Sequence, residues 1–274
     1  MNRIAQFLIL PVCIGYALVF LLQERLFQGA AVQLAPVPTA QFLRVTTGYL
    51  KQLVAETLFV QSAVFLGGVP AGTDPRTYAP VLAHNYRQIT ALYPEFQDPY
   101  YYAQSYLAEV GPEYARAAND ILATGRSGAP DNLIYPFFQG YNYFRHLDEP
   151  LQAAGVFREA SLLPDAPPQF ARMAVILSAE GGMLEASIFS LMALINSTDD
   201  KVVKQRYQEE LEMFKAAFSV QKAVNTFQVE RMRTPTTLDE LVPDYLPALP
   251  DFGRAFELTW KPPVVGLKRP MPGR

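Results

Sequence analysis

Two histidines and one cysteine, with a few clustered carboxylates, are what this 274-residue chain offers to catalysis or metal binding. His84 sits among apolar neighbours in a helical stretch, and His146 stands at a helix end near Asp148. Neither has a partner three or four residues along that makes a metal pair, so each reads as a hydrogen-bonded or solvent-facing imidazole. The lone Cys13 excludes an intramolecular disulfide framework and any multi-cysteine zinc site. It follows Val12, where lipidation would want a small residue, and it reads as an inert thiol inside an apolar run. Glu209, Glu210 and Glu212 fall on a charged helix and read as a solvated face. Asn196-Ser197-Thr198 is formally a glycosylation sequon but reads better as a helix stop followed by a cap. Gly67-Gly68 is followed by no Lys-Ser/Thr pair and cannot cradle phosphate, and the other nucleotide, hydrolase and metalloprotease signatures are missing. The sequence therefore predicts no enzyme, no cofactor and no metal site.

The elements must then explain themselves by packing. Half the residues are apolar and only 18% are charged, ample for a core. The net charge is −3, the pI is near 5.5 and the mean hydropathy is +0.05, which argues against a nucleic-acid partner. Twenty-three prolines imply many short elements.

An apolar run opens at Ile4 and closes at Leu22, with Gln6 its one strongly polar side chain. As a helix it spans ~28 Å, close to a bilayer's hydrocarbon core. Arg3 and the amino terminus precede it, while Glu24 and Arg25 nearly cancel after it. The positive-inside rule then predicts a single-pass anchor over residues 1–25, with a cytoplasmic N-terminus and the body outside, in the periplasm. A cleaved signal peptide, with a fair site near Gln28-Gly29-Ala30-Ala31, is the alternative. Residues 26–39, uncharged over their last twelve and carrying Pro36 and Pro38, read as a short stiff linker.

Beyond it, apolar residues recur at three and four, and Gly and Pro punctuate. A first helix is expected from Ala40 to Leu66, with Phe42, Val45, Tyr49, Leu53 and Val60 on one side, ended by Gly67-Gly68 and Pro70. A second runs from Tyr78 to Tyr93. Then comes self-similarity. Gly140-x-x-Tyr143, Ala153-x-x-x-Phe157-x-x-Ala160 and Pro164 have the spacing of a helical hairpin with small residues at the crossing. Downstream, Ala174-x-x-Leu177 and Ala186-x-x-x-Ser190-x-x-Ala193 match; upstream, Ala103-x-x-Tyr106 and Ala117-x-x-x-Ile121-x-x-Thr124 match. Leu82, Tyr86, Ile89 and Pro94 offer half of a further repeat. These spacings resemble the tetratricopeptide pattern, so an all-α stack of hairpins is expected over residues 40–198.

Residues 199–233 follow as a long amphipathic helix, with Val203, Tyr207, Leu211, Phe214, Phe218, Val224 and Phe227 on its apolar side, capping the stack. Residues 234–274 hold eight of the twenty-three prolines and the only tryptophan, Trp260. Thr236 or Thr237 can cap a short helix through Val242; Phe256-Glu257-Leu258-Thr259-Trp260 alternates and can pair with Pro263-Val264-Val265 as a hairpin. Lys268-Arg269 and the residues after them read as a disordered end.

Several stretches carry a wider likeness: Leu92-Tyr93-Pro94-Glu95-Phe96-Gln97-Asp98-Pro99-Tyr100, Gln139-Gly140-Tyr141-Asn142-Tyr143-Phe144, Leu163-Pro164-Asp165-Ala166-Pro167-Pro168 and Arg233-Thr234-Pro235-Thr236-Thr237-Leu238-Asp239-Glu240-Leu241-Val242. Over roughly residues 40–260 the layout resembles a family of membrane-anchored bacterial tetratricopeptide proteins of unknown role. It departs from the family at Arg233, where a glycine is usual. The resemblance implies helical repeats and membrane attachment, and no chemistry. In tetratricopeptide stacks the first helix of each hairpin lines a concave face. Carried over, this places Phe137, Tyr141, Phe144 and Arg145 there, with Tyr100, Gln104 and Leu107. Tyr100, Gln104, Phe137, Tyr141 and Arg145 are the candidate partner-binding residues; inter-repeat core is the competing reading for the aromatics. The function expected is a membrane-anchored scaffold that binds a protein or peptide. A structural subunit of a secretion or pilus-type assembly is the alternative, to which a short pseudopilin-like look of Leu238-Asp239-Glu240-Leu241-Val242 and Leu246-Pro247 contributes.

Overall fold

The structure is a computed structural model that describes Gly15, Tyr16, Leu18 and residues 34–270. Apart from those three positions, the expected membrane span from Ile4 to Leu22 lies outside the described residues. Among the described residues no helix is long and apolar enough to cross a membrane. They are mostly helical, with one two-stranded sheet near the C-terminus. The chain divides into two compact units, Met1–Pro99 and Tyr100–Arg274.

In the first unit, helices α1 (Ala40–Thr47) and α2 (Lys51–Gly68) both pack on α3 (Ala79–Leu92). The single helix expected from Ala40 to Leu66 is broken. Gly48 takes φ 50°, a left-handed value that side chains disfavour, and a 3-10 turn over Gly48–Leu50 follows. Further on, α2 runs through both Gly67 and Gly68 and stops only before Pro70. Leu43, Ala55, Phe59 and Phe65 are the buried side of α1–α2. Phe59 packs edge-on to Phe96 at 5.1 Å between ring centroids and Phe65 edge-on to Tyr78 at 5.4 Å. The side expected from periodicity, with Phe42, Val45, Tyr49, Leu53 and Val60, faces outward instead. Here α2 is apolar on more than one side, so periodicity alone left its inner face open. On α3, Leu82, Tyr86 and Ile89 are buried as expected.

The linker also ends sooner than residue 39. Asn85 accepts from the Val37 N–H at 2.9 Å and donates to the Ala35 carbonyl at 3.0 Å. His84 Nε2 lies 2.9 Å from the Val37 carbonyl, and Gln88 accepts from the Ala40 N–H at 2.8 Å. Three polar side chains of α3 thus bind the extended backbone, and the buried Asn85 amide finds its partners there.

The second unit contains α4 (Asp98–Leu107, apart from its first two residues), α5 (Pro112–Gly128), α6 (Ile134–Arg145), α7 (Pro150–Ala160), α8 (Pro168–Glu180), α9 (Leu184–Ser197) and α10 (Lys201–Arg231). From α5 onward each helix packs on the next in sequence. Prolines open α5, α7 and α8, where the missing N–H costs nothing. Asp148 and Asp165 turn the chain between helices with φ 52° and 57°.

The repeat register is right in the middle and, in the flanking hairpins, right at Ala103, Ala174 and Leu177 of the first helices but shifted in the second helices. A Cβ on Gly140 would lie 2.6 Å from the Phe157 ring, so α6 and α7 touch where small faces large. Ala153, Phe157 and Ala160 are all buried. In α5, however, the fully inward set is Ala118, Leu122 and Gly125 rather than Ala117, Ile121 and Thr124; only Ile121 of the latter is buried. A Cβ on Gly125 would lie 2.9 Å from the Tyr100 ring and 2.8 Å from the Tyr135 ring. In α9, Ala186, Ser190 and Ala193 are exposed, and Ser187, Leu191 and Ile195 are buried. Adjacent small residues, Ala117-Ala118 and Ala186-Ser187, permit two registers in the sequence; contact with the neighbouring helix selects one.

Helix α10 is capped by Asp200, which accepts from the Val202 and Val203 N–H groups at 2.8 and 3.1 Å. Tyr207, Leu211, Phe214, Val224 and Phe227 point into the core as expected. Glu210 does not stay in solvent: it is buried in an ion pair with Arg172 of α8. The chain after α10 joins the same core through Leu238, Leu241, Phe256, Val265 and Leu267. A short 3-10 turn, Leu238–Leu241, begins where Glu240 accepts from the Thr236 and Thr237 N–H groups and pairs with Arg233 at 2.6 Å. The expected hairpin forms as β1 (Glu257–Lys261) and β2 (Val264–Lys268), antiparallel with Trp260 opposite Val265. β2 lies against α8 and α10. Lys268, expected in a disordered end, is a strand residue paired with Glu180 at 3.3 Å, and Arg269 lies over the Phe256 ring.

Candidate partner-binding face

The candidate residues belong to α4 and α6, and buried amides position both helices. Gln104 donates to Asn142 Oδ1 at 2.8 Å, and Asn142 donates to Gln104 Oε1 at 2.7 Å and to Asn119 Oδ1 at 2.9 Å. Gln139 donates to the Asn119 carbonyl at 3.1 Å. These four side chains are buried and tie α4, α5 and α6 together. In a low-dielectric interior such bonds are costly to break, so they fix the rotation of α6. With Gln139, Gly140 and Asn142 turned inward, Phe137 and Tyr141 face out, 40% and 39% exposed.

Two expected site residues are therefore core, not groove. Tyr100 is 1% exposed and meets Tyr135 edge-on at 4.9 Å; Gln104 spends its amide on Asn142. Leu107 is buried as well, and Phe144 packs against the Ala153–Phe157 core. Tyr100, Gln104 and Leu107 recur at four and three, the spacing of one helix face, and that face is the one α4 buries.

Phe137 has a double role. It is half exposed, yet it belongs to a row of rings: Tyr101 edge-on to Phe138 at 6.0 Å, Phe138 beside Phe137 at 5.5 Å, and Phe137 stacked on Phe170 at 6.4 Å. The row continues from Phe170 to Phe157 at 5.5 Å, so it runs from α4 across α6 to α8 and α7.

Tyr141 and Arg145, one helical turn apart, line a cleft of about 410 Å³ with Glu109, Gly111, Pro112 and His146. The His146 ring lies edge-on to Tyr141 at 5.7 Å. Burial holds its pKa below the ordinary 6.5, and Arg145 pushes the same way against the pull of Glu109, so the imidazole is neutral at pH 7. Among the described residues Arg145 has no ion-pair partner. The cleft thus combines a planar guanidinium, a phenol, a neutral imidazole and a carboxylate, a set that can hold a peptide by charge-assisted and aromatic contacts. The sequence pointed to Tyr141 and Arg145 but not to Glu109 or His146. Their signal was the Gly111-Pro112 helix start and the end of α6, which close the cleft only once α4, α5 and α6 are packed.

A second cleft of about 320 Å³ lies between the starts and ends of α7 and α8 and the hairpin, lined by Leu151, Glu180, Gly181, Lys261, Val264 and Gly266 among others. Glu180 in its wall is nearly buried; desolvation raises its pKa above 4.5, and the Lys268 ammonium only partly offsets this.

Compared with known proteins, the chain matches no family model, no curated protein and no solved structure.

Proposed function

We propose that the chain is a membrane-anchored scaffold whose tetratricopeptide-like hairpins offer a protein or peptide partner a binding face on the periplasmic side of the inner membrane. The observation that carries this reading is the cleft on α6, where Tyr141 and Arg145 stand out from a scaffold that buried amides hold rigid. Sites built on rigid helices lose little entropy on binding. The coincidence of the small-to-large spacing with the tight Gly140–Phe157 contact supports the repeat reading. The anchor reading rests on the apolar run from Ile4 to Leu22 and the charge asymmetry about it.

The test is capture from a detergent extract of native membranes with the full chain as bait. Tyr141→Ala and Arg145→Ala should keep the native circular dichroism and melting temperature and lose the partner. A single stoichiometric complex that survives both substitutions would favour the structural-subunit alternative. A reporter that works only outside the cytoplasm, fused after Arg274, should be active; an inactive one would overturn the orientation.

A further inference from the structure

Among the described residues, nothing covers the apolar α1–α2 side that faces away from α3. Phe42, Val45, Tyr49, Leu53, Val60 and Val64 are all more than half exposed, with Val45 at 86% and Tyr49 at 105%. Phe42 and Val45 stand three apart on α1, and Leu53, Val60 and Val64 stand seven and four apart on α2, each the spacing of one helix face, with Tyr49 in the 3-10 turn between them. The side cannot simply turn inward, because Leu43, Ala55, Phe59 and Phe65 already occupy the contact with α3. Contiguous apolar patches on a protein surface mark an interaction site.

We infer that this face rests on the lipid surface into which the N-terminal segment inserts, so that the first unit lies on the bilayer rather than hanging from it. Three observations choose lipid as the occupant. First, the tether is short. The predicted span closes at Leu22, and the backbone is already bound to α3 at Ala35, thirteen residues on. Fully extended, that reaches at most ~47 Å, so the first unit is held within that distance of the end of the span. Second, the chemistry suits an interface. Residues 40–68 carry one carboxylate, Glu56, against Arg44 and Lys51, a net charge of +1 in a chain of −3. Tyr and Phe beside aliphatic side chains are the composition that settles at headgroup level. Third, the face is narrow. Six large apolar side chains on α1, the 3-10 turn and α2 fall well below the roughly 20–30 residues per side of a stable protein interface, whereas an interfacial helix needs only one apolar stripe.

The inference rests on reading the N-terminal run as a membrane segment, and the experiment separates the two. The full chain, in a Cys13→Ala background, receives one cysteine at a time by Tyr49→Cys, Leu53→Cys or Val60→Cys, with Leu162→Cys in the exposed turn after α7 as the control. Each is labelled with a polarity-sensitive dye and reconstituted into vesicles of zwitterionic and anionic lipid, with and without a quencher attached near the lipid headgroup. The expected result is that the chain floats with the vesicles and resists alkaline extraction. The dyes at 49, 53 and 60 should shift to the blue and lose intensity to the lipid quencher, while the dye at 162 does neither. A chain that floats but whose dyes at 49, 53 and 60 stay polar and unquenched overturns the inference and leaves the anchor standing. A chain that does not float overturns the anchor reading and the inference with it. A blue shift without lipid quenching also overturns it: if the shift fades as protein is diluted in lipid, a second copy covers the face, and if it persists, the chain's own N-terminal segment does.

Discussion

A methyl group at Gly140 is the most direct probe of the hairpin packing. An ideal Cβ there would stand 2.6, 2.7 and 3.0 Å from three carbons of the Phe157 ring, against ~3.5–4.0 Å for a relaxed carbon contact. The ring would have to retreat by about 1 Å to restore such a contact. It has little room, since it is buried and backed by Phe170 at 5.5 Å. Overpacking of this kind costs ~1–3 kcal/mol, and replacing a helix-interior glycine by alanine returns ~1 kcal/mol. Gly140→Ala should therefore destabilise by ~0–2 kcal/mol, and Gly140→Leu, with three more carbons, should lie at or beyond the upper end. In a chain of this size ~1 kcal/mol lowers the melting temperature by about 2–4 °C. Thermal melts of the full chain in detergent, followed by far-ultraviolet circular dichroism, measure this directly. The decisive comparison is Gly140→Ala in a Phe157→Leu background, which removes the ring atoms the new Cβ meets. The alanine should then be cheaper, with a coupling of ~0.5–3 kcal/mol between the two sites. A higher melting temperature for Gly140→Ala alone, or an equal cost in both backgrounds, would refute the contact.

The two tyrosines of the candidate face should separate: Tyr100→Ala, in the core, should cost ~3–5 kcal/mol, whereas Tyr141→Ala should melt almost as the wild type; equal melting shifts would contradict the assignment. Breaking the buried Arg172–Glu210 pair by Arg172→Met should cost ~3–5 kcal/mol by leaving a carboxylate unpaired, and adding Glu210→Leu should recover most of it; a double variant no better than the single one would show that the pair's charge is not what matters. Because burial raises the Glu180 pKa, the native state keeps that proton where the unfolded chain has lost it, so its contribution to stability declines as pH rises from about 4.5 through the raised native value. Glu180→Gln should flatten the melting temperature over that window, and an unchanged slope would count against it. Glu240, held down to about 2 by Arg233 and by the Thr236 and Thr237 N–H groups, works in the other direction: the stability it gives is present above 4.5 and lost as pH falls through about 2, a loss that Glu240→Gln should abolish in acid titrations. Gly266→Ala should detach the hairpin, because its Cβ would lie 2.4 Å from the Glu180 carbonyl, a backbone atom that cannot move aside; native-like protection of the hairpin amides from hydrogen exchange would disprove this.

Local chemistry in the sequence was enough to place most elements. Pro80, Pro112, Pro150 and Pro168 all stand in the first turns of their helices, where a proline costs no hydrogen bond. The three-four spacing from Val203 to Phe227 defined the inner side of α10, and alternation from Phe256 to Trp260 gave the hairpin, because each signal lies within a turn or two of chain. The Gly140–Phe157 crossing was legible for the same reason: one small and one large residue at fixed offsets admit a single register. Registers with small residues side by side, at Ala117-Ala118 and Ala186-Ser187, were decided only by the neighbouring helix. So was the inner side of α2, which is apolar nearly all round and turns to α3 whichever residues fit Tyr86 and Phe96. Tertiary packing also moved Glu210 from solvent into an ion pair, since its partner lies thirty-eight residues away on α8. The candidate face divided likewise. The tetratricopeptide resemblance nominated Tyr100, Gln104, Phe137, Tyr141 and Arg145 alike, but the Gln104–Asn142–Asn119 bonds set the rotation that buries the first two and leaves Tyr141 and Arg145 in a cleft with Glu109 and His146. A burial choice of that kind depends on which helices meet, and no local spacing encodes it.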